Sequence, residues 1–271
     1  MDYIKLANNG IQQLKPYEPG KPIEELEREL GVTDIVKLAS NENPLGASHK
    51  ALHALKHLHE LHLYPDGATF SLKAALSEKL GVQSTQLTLG NGSNDVLDLV
   101  ARAYLQEGDE AIFSEYAFAV YPIVTLACNA TPVQVPSNLF GHDLAAMAEA
   151  VTDRTRVIFV ANPNNPTGTW FNAHALDEFL SRIPERVVVV LDEAYVEYVE
   201  ERHYPNGIER LGKYPNLIVT RTFSKIYGLA GLRVGYGISS PQIADVLNRV
   251  RQPFNVNTVS YTHLRAHETR F

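Results

Sequence analysis

The chain has 271 residues, of which 45% are hydrophobic and 20% are charged, so it can bury a sizeable core and is not intrinsically disordered. Its 24 basic and 31 acidic residues give a net charge of −7 without a basic run, which argues against a nucleic-acid partner. A single cysteine, Cys128, excludes an internal disulfide and a cysteine-based zinc site, and we expect it to fill space in the core. The N-terminus lacks a signal or transit pattern, and the longest strongly apolar run, 187–191, is too short to span a bilayer, so we expect a cytoplasmic protein without membrane contacts.

The first 81 residues predict an arm followed by helices and turns. Gly31 and Gly81 are placed to end helices, and Ser48 is placed to begin one. In chain order we expect a charged helix over Ile23–Leu30, a short strand over 35–40, the Asn- and Pro-rich loop NENPLG over 41–46, a helix from Ser48 to Leu63, a YPDG turn over 64–67 and a helix over 71–80.

From residue 87 onward, strands and helices are expected to alternate regularly. The predicted strands are 87–90, 110–115, 131–136, 156–163, 186–195, 216–223 and 233–239, and the predicted helices are 93–105, 116–129, 144–151, 174–183 and 241–252. Continuous Val and Ile runs such as VVVVL are typical of strands that are buried on both faces. The pattern therefore predicts an α/β fold, a mostly parallel sheet wrapped by helices in an α/β/α sandwich.

Several polar stretches follow predicted strands, and ligands bind at the carboxyl ends of strands in such sheets. In LGNGSND a strand leads through Gly90 and Gly92 into a helix that opens at Ser93, and free N–H groups at a helix N-terminus can bind an anion. An ordinary capped turn is the alternative, because the stretch matches neither a P-loop nor GxGxxG. In NPNNPTG, Asn165 is a candidate hydrogen-bond donor, with a plain turn as the alternative.

Two charged residues at strand ends carry the chemistry. Asp192 ends an almost wholly apolar strand, where an unpaired carboxylate would be costly, so it calls for a buried cation or for a salt bridge with Arg221 or Arg233. Lys225, in RTFSKIYGLAGLRVGYG, becomes a nucleophile towards a carbonyl if its surroundings lower its pKa, and a surface lysine is the alternative. Nearby hydroxyls and Arg233 could bind a phosphate.

In combination these stretches resemble the fold-type I, class-II aminotransferases that depend on pyridoxal 5′-phosphate (PLP), and most closely the histidinol-phosphate aminotransferase group. The resemblance is carried by KPYEPGKP, LASNENPLG, YPDG, LGNGSND, NPNNPTG, LDEAYVEY and RTFSKIYGLAGLRVGYG, in this order, over roughly residues 14–258.

The resemblance implies a role for each matching residue around the cofactor ring. Lys225 would form the Schiff base with PLP and shuttle the substrate proton, and Asp192 would pair with the pyridine nitrogen. Asn165 and Tyr195 would hydrogen-bond the phenolic oxygen of the ring. Phe118 would stack on the ring face, although a plain core aromatic is the alternative.

Further residues would bind the phosphate and the substrate. The resemblance implies that the phosphate lies against Gly92, Ser93, Asn94, Thr222, Ser224 and Arg233. Tyr64 would reach the phosphate of a neighbouring subunit, which implies a homodimer, while Tyr17 and Asn43 would line the substrate side. No metal ion is expected, and His53 and His57, four apart on a predicted helix, are interpreted as solvated histidines.

The implied reaction transfers the amino group of L-histidinol phosphate to 2-oxoglutarate, giving imidazole-acetol phosphate and glutamate in histidine biosynthesis. The alternatives are another fold-type I enzyme (an aromatic-amino-acid aminotransferase or a threonine-phosphate decarboxylase) and a PLP-binding fragment or module without catalysis. An NAD-dependent dehydrogenase is disfavoured because no GxGxxG follows the early strands.

The expected organisation has three parts. Residues 1–40 would form the arm and part of a small domain, 41–260 the large PLP-binding domain, and 261–271 a tail that does not continue the family pattern. The rest of the small domain, which supplies substrate-binding arginines in the family, has no counterpart in this sequence. If this chain acts alone, weak PLP binding and low turnover are therefore expected.

Overall fold

The computed structural model describes residues 1–18, 20–56 and 62–259, and within them a seven-stranded sheet carries helices on both faces. The strands are β1 Leu87–Asn91, β2 Glu110–Ser114, β3 Thr131–Val135, β4 Thr155–Ala161, β5 Val188–Asp192, β6 Leu217–Thr222 and β7 Val234–Ile238. The helices are α1 Asn9–Gln12, α2 Ile23–Leu30, α3 His49–Leu55, α4 Phe70–Leu80, α5 Ser93–Tyr104, α6 Val120–Ala127, α7 Leu144–Glu149, α8 Ala173–Arg182 and α9 Pro241–Val250.

The strand order is β1-β7-β6-β5-β4-β2-β3. Neighbours from β6 through β3 pair in parallel, whereas β7 pairs antiparallel with both β1 and β6. Six strands therefore point the same way, and the expectation of a mostly parallel sheet is confirmed. Because β1, β4, β5 and β6 share this direction, their carboxyl ends meet at one edge of the sheet.

The core is divided between the two faces of the sheet, as the period of two along a strand requires. In β4, Ile158 and Val160 lie in one hydrophobic cluster with α4 and α8, whereas Val157 and Phe159 lie in the other with α5, α6 and α9. All five residues of β5 are buried. The interpretation of the Val-rich runs as strands covered on both faces is therefore correct.

Most predicted elements are present, and two differ from expectation. Residues 35–40 do not form a strand, because none of the seven described strands pairs with them, and Val36 and Leu38 remain 78% and 87% exposed. Ser48 caps α3 by accepting the Ala51 N–H, as expected, but the helix ends at Leu55. Residues 57–61, which include His57, and the tail 261–271 lie outside the described residues.

The N-terminal segment docks on the end of α6 through a glycine. Gly10 in α1 is buried against the end of α6, where its N–H donates to Asn129 Oδ1 at 2.8 Å. A Cβ atom at this position would lie 1.8 Å from the Leu126 carbonyl oxygen. Only a residue without a side chain therefore fits, and the docked arm leads the chain towards Tyr17.

We expect Gly10→Ala to release the N-terminal segment without unfolding the sheet and the helices packed on it. Overpacking of this kind costs about 1–3 kcal/mol, so amide hydrogen exchange over residues 9–14 should become at least about fivefold faster. Mass spectrometry of the exchanged peptides measures this change.

Gly212→Ala is the matched control, since a Cβ atom there meets no heavy atom of the described residues within 4 Å. It should leave exchange in the arm unchanged. Equal exchange rates in both variants would show that the docking contact is not required.

Candidate active site

A cavity of about 780 Å³ opens at the carboxyl edge of the sheet. It brings together most of the residues singled out in the sequence: Tyr17, Ser93, Asn94, Phe118, Asn165, Asp192, Tyr195, Thr222, Ser224, Lys225 and Arg233. These residues come from the arm, from α5 and from the loops that follow β2, β4, β5 and β6. The cavity thus collects segments that lie more than 200 positions apart in the chain.

Lys225 reaches into this cavity from the loop after β6. Its Nζ donates to the carbonyl oxygens of Ser40 at 3.2 Å and Asn41 at 3.4 Å, and it lies 5.5 Å from the centre of the Tyr195 ring. Burial, and to a lesser extent the charge of Arg233, lowers the pKa of the Lys225 ammonium below its usual value. A lower pKa increases the fraction of neutral amine, and the position of Lys225 in the cavity favours the nucleophile over the surface-lysine alternative; the nucleophilic role stays a prediction.

Asp192 ends β5 beneath the cavity and is only 5% exposed. The Tyr121 hydroxyl donates to its Oδ2 at 2.9 Å, and the Thr220 hydroxyl donates to its Oδ1 at 3.0 Å. Burial raises the pKa of the carboxyl group, and these hydrogen bonds oppose the rise. Within the described parts of the chain no salt bridge to Asp192 is formed, so its charge is available to a ligand in the cavity.

The arginine that could have paired with Asp192 binds the next residue instead. Arg221 Nε and Nη2 donate to Glu193 Oε2 at 2.9 and 2.7 Å, and the Gly207 N–H donates to Oε1 at 2.9 Å. Glu193 is fully buried. This network anchors the chain directly after Asp192; the sequence analysis named Arg221 only as a partner for Asp192 and did not consider Glu193.

One end of the cavity has the features of an anion site. Gly92 precedes α5 with φ +81°, and a Cβ atom there would lie 2.5 Å from Arg233 Nη2. On the other side of the loop, a Cβ atom at Gly235 would lie 2.1 Å from the Ser93 nitrogen. The two glycines therefore let Arg233 and β7 approach the N-terminus of α5, whose first N–H groups have no partner within the helix.

Hydroxyl groups from the end of β6 complete this site. The Ser224 N–H donates to Thr222 Oγ1 at 3.1 Å, and Arg233 Nη1 donates to Ser224 Oγ at 3.4 Å. Thr222 and Ser224 are buried and line the cavity with Ser93 and Asn94. Donors with a positive charge and a helix dipole converge here, which suits a phosphate group.

A polar network supports the glycine loop from behind. Asp95 Oδ2 accepts from the Asn91 N–H at 2.8 Å and from Asn255 Nδ2 at 2.7 Å. Arg251 joins Asn255 Oδ1, at 2.8 Å, to the Gly67 carbonyl oxygen, at 2.9 Å. The YPDG turn and the loop before α5 are thus held together, a connection between distant segments that no local pattern indicates.

The remaining residues of the cavity are positioned by their loops. Asn41 Nδ2 donates to the Tyr195 hydroxyl at 2.9 Å. Asn164 Nδ2 bonds the Tyr116 carbonyl oxygen at 2.8 Å and so fixes the loop that carries Asn165. Phe118 lines the cavity and also packs against the second core cluster, and its stacking on a cofactor ring stays a prediction.

Three expected residues lie away from the cavity lining. Gly92 contributes backbone only, and Asn43 donates its amide to the Ile226 carbonyl oxygen at 2.8 Å, which makes it a support for the Lys225 loop. Tyr64 is 81% exposed and stacks on Phe254 with ring centres 4.6 Å apart. The substrate role of Asn43 and the cross-subunit role of Tyr64 stay predictions.

Two general features of the described residues bear on function. No group of three or more His, Cys, Asp or Glu side chains within them could hold a metal ion. No helix in residues 1–18, 20–56 or 62–259 is long and apolar enough to cross a membrane.

Cys128 is partly buried at the end of α6, beside the second core cluster.

The fold and the site define the class of protein. The family model for aminotransferase class I and II matches residues 33–267, more than half of the chain, and the chain belongs to this family. The expectations of a fold-type I architecture and of an aminotransferase are therefore confirmed.

Individual relatives are similar over nearly the whole chain. Histidinol-phosphate aminotransferase 2 of Pseudomonas fluorescens (strain Pf-5) is 63% identical over 262 residues, which cover 96% of this chain and 71% of the relative. The enzyme of the same name from Pseudomonas aeruginosa is 61% identical with the same coverage. The solved histidinol-phosphate aminotransferase from Sinorhizobium meliloti, in complex with pyridoxal-5′-phosphate, superposes with a TM-score of 0.88 at 30% identity over 96% of this chain and 70% of that one.

We expect the buried Arg221–Glu193 ion pair to contribute strongly to the free energy of unfolding. We expect Arg221→Met to lower the free energy of unfolding by about 3–5 kcal/mol, because it leaves the fully buried Glu193 without its counter-charge. Urea denaturation measures the effect.

Arg249→Met is the control, since Arg249 pairs with Asp245 on the surface at 2.6 Å with both side chains more than half exposed. Its loss should change stability by less than about 1 kcal/mol. Similar effects of the two substitutions would contradict the buried ion pair.

Proposed function

We propose that this protein uses PLP to transfer the amino group of L-histidinol phosphate to 2-oxoglutarate, giving imidazole-acetol phosphate and glutamate. The observation that carries the proposal is the pairing, in one cavity, of a buried carboxylate without a salt bridge, Asp192, and a lysine of lowered pKa, Lys225. Eight curated relatives that are 52–63% identical to this chain bear the name histidinol-phosphate aminotransferase.

The residues present fit the chemistry of PLP at three points. The phosphate suits the N-terminus of α5 with Ser224 and Arg233, where Gly92 leaves room for close approach. The protonated pyridine nitrogen suits Asp192, the buried carboxylate that otherwise has hydroxyl donors and the Ala194 N–H but no cation. The Nζ amine of Lys225 would bind the aldehyde group of PLP.

Each residue then has a defined task. When bound, PLP supplies a conjugated ring that accepts the electron pair released as the Cα–H bond of the substrate breaks. Asp192 holds the proton on the ring nitrogen, and Asn165 and Tyr195 orient the ring through its phenolic oxygen. Lys225 would hold the aldehyde end of PLP, and its free amine would move the substrate proton between Cα and C4′ of the cofactor. Phe118 excludes water from one face of the ring.

The substrate assignment rests on the relatives and on the phosphate-rich chemistry of the site. The alternatives, an aromatic-amino-acid aminotransferase and a threonine-phosphate decarboxylase, would use the same cofactor residues. The identities of up to 63% to curated relatives favour histidinol phosphate over both.

The proposal includes a homodimer in which Tyr64 contacts the phosphate of the neighbouring subunit. The exposure of Tyr64, its stacking on Phe254 and its place outside the cavity lining of its own chain support this. We also propose that residues 41–260 act as the cofactor-binding domain.

Borohydride reduction in the presence of saturating PLP should place a stable pyridoxyl label on Lys225. The lysine is nucleophilic because burial lowers its pKa, and the anion site holds the phosphate beside it. Peptide mass spectrometry locates the label.

Lys73 provides an internal control for this experiment. Burial also lowers its pKa, but it does not line the cavity. A label shared equally between Lys73 and Lys225 would indicate general amine reactivity and would contradict a built cofactor site.

An amino-donor screen tests the substrate. With 2-oxoglutarate as acceptor, L-histidinol phosphate should form glutamate with a kcat/KM at least about tenfold above that of L-phenylalanine or L-tyrosine, because these lack the phosphate. A coupled glutamate assay measures this. Preference for an aromatic donor, or carbon dioxide release from threonine phosphate, would favour an alternative enzyme; a labelled protein without any turnover would favour a non-catalytic fragment.

A further inference from the structure

Tyr121 is a cavity residue to which the sequence analysis gave no role. Its side chain is fully buried, and its hydroxyl donates to Asp192 Oδ2 at 2.9 Å. We propose that Tyr121 is a positioning residue whose hydroxyl keeps the Asp192 carboxylate ionised and oriented towards the ring nitrogen of the cofactor. This inference rests on the proposed function, because it concerns how the same site holds PLP.

Two aromatic neighbours pack on the ring of Tyr121 and restrict its orientation. It stacks on Phe159 with ring centres 4.9 Å apart and planes 5° apart. With Phe118 it forms a T-shaped contact, with ring centres 5.9 Å apart and planes at 88°. Tyr121 therefore links two expected cofactor contacts, Asp192 through a hydrogen bond and Phe118 through ring packing.

The burial of Asp192 makes the hydrogen bond from the Tyr121 hydroxyl important. Burial raises the pKa of Asp192, and the bond from Tyr121 is foremost among the interactions that oppose this rise. Burial and the nearby Asp192 charge raise the pKa of Tyr121 itself, so its hydroxyl stays protonated and acts only as a donor. Without it, the nearly buried Asp192 would lose a donor to Oδ2, and protonation of its carboxylate would become easier.

Tyr121→Phe removes the hydroxyl and keeps the ring. The dissociation constant of PLP, measured by equilibrium dialysis, should rise about tenfold, since a buried hydrogen bond to a charged group is lost. Binding of the carbocyclic PLP analogue, in which C–H replaces the ring nitrogen, should change by less than about twofold, because that analogue makes no bond to Asp192. A merely structural role would weaken both ligands equally.

Tyr214→Phe is the matched control. Tyr214 is also buried, and its hydroxyl donates to the Asp177 carbonyl oxygen at 3.2 Å, away from the cavity. It should leave the affinity for PLP within about twofold of the wild type.

The outcomes separate this inference from the function on which it rests. If the wild type binds PLP at Lys225 and Tyr121→Phe binds it equally well, the positioning role is overturned and the proposed function stands. Equal weakening of PLP and of the analogue also overturns the role. If the wild type binds no PLP, both proposals fall together.

Discussion

The buried carboxylate of Asp192 is the constraint around which the rest of the site is arranged. An ionised carboxylate without partners in the core costs several kcal/mol, and the usual remedy is an adjacent arginine or lysine. This chain supplies two hydroxyl donors instead, from Tyr121 and Thr220, and leaves the side towards the cavity without a cation from the described residues. The two hydrogen bonds therefore stabilise the ionised carboxylate in the folded protein, and the carboxylate can still attract a ligand that carries positive charge.

The strand geometry keeps this carboxylate apart from the arginine that would neutralise it. Asp192 and Glu193 are successive, and so are Thr220 and Arg221 on the neighbouring parallel strand, where Asp192 lies in register with Thr220. Successive side chains on a strand point to opposite faces, so Thr220 meets Asp192 while Arg221 meets Glu193. A shift of one residue in this register would exchange the partners and place a salt bridge where the cavity needs a free carboxylate.

Much of this arrangement can be predicted from the sequence, because it follows from local patterns. Apolar runs indicate the strands, and polar residues placed just after them, such as Asp192 and Lys225, must meet at one sheet edge. Contacts between distant segments do not follow from local patterns. The apolar alternation of 35–40 fits a strand, yet none of the described strands pairs with it, and the donation from Tyr121 to Asp192 joins residues 71 positions apart. Nothing in the residues near Tyr121 indicates that contact, since an aromatic at this spacing on a helix equally fits the core.

The glycines of RTFSKIYGLAGLRVGYG explain how one loop can serve both ends of the cavity. Gly228 has φ +64°, and a Cβ atom there would lie 2.2 Å from the Gly46 carbonyl oxygen, so the loop after β6 packs directly on the backbone of 41–46. That contact brings Lys225 within hydrogen-bonding distance of the Ser40 carbonyl oxygen. Gly235 then lets β7 pass against the start of α5, which places Arg233 at the anion site. Because these close approaches require glycine at both positions, backbone packing sets the positions of the segments that carry Lys225 and Arg233.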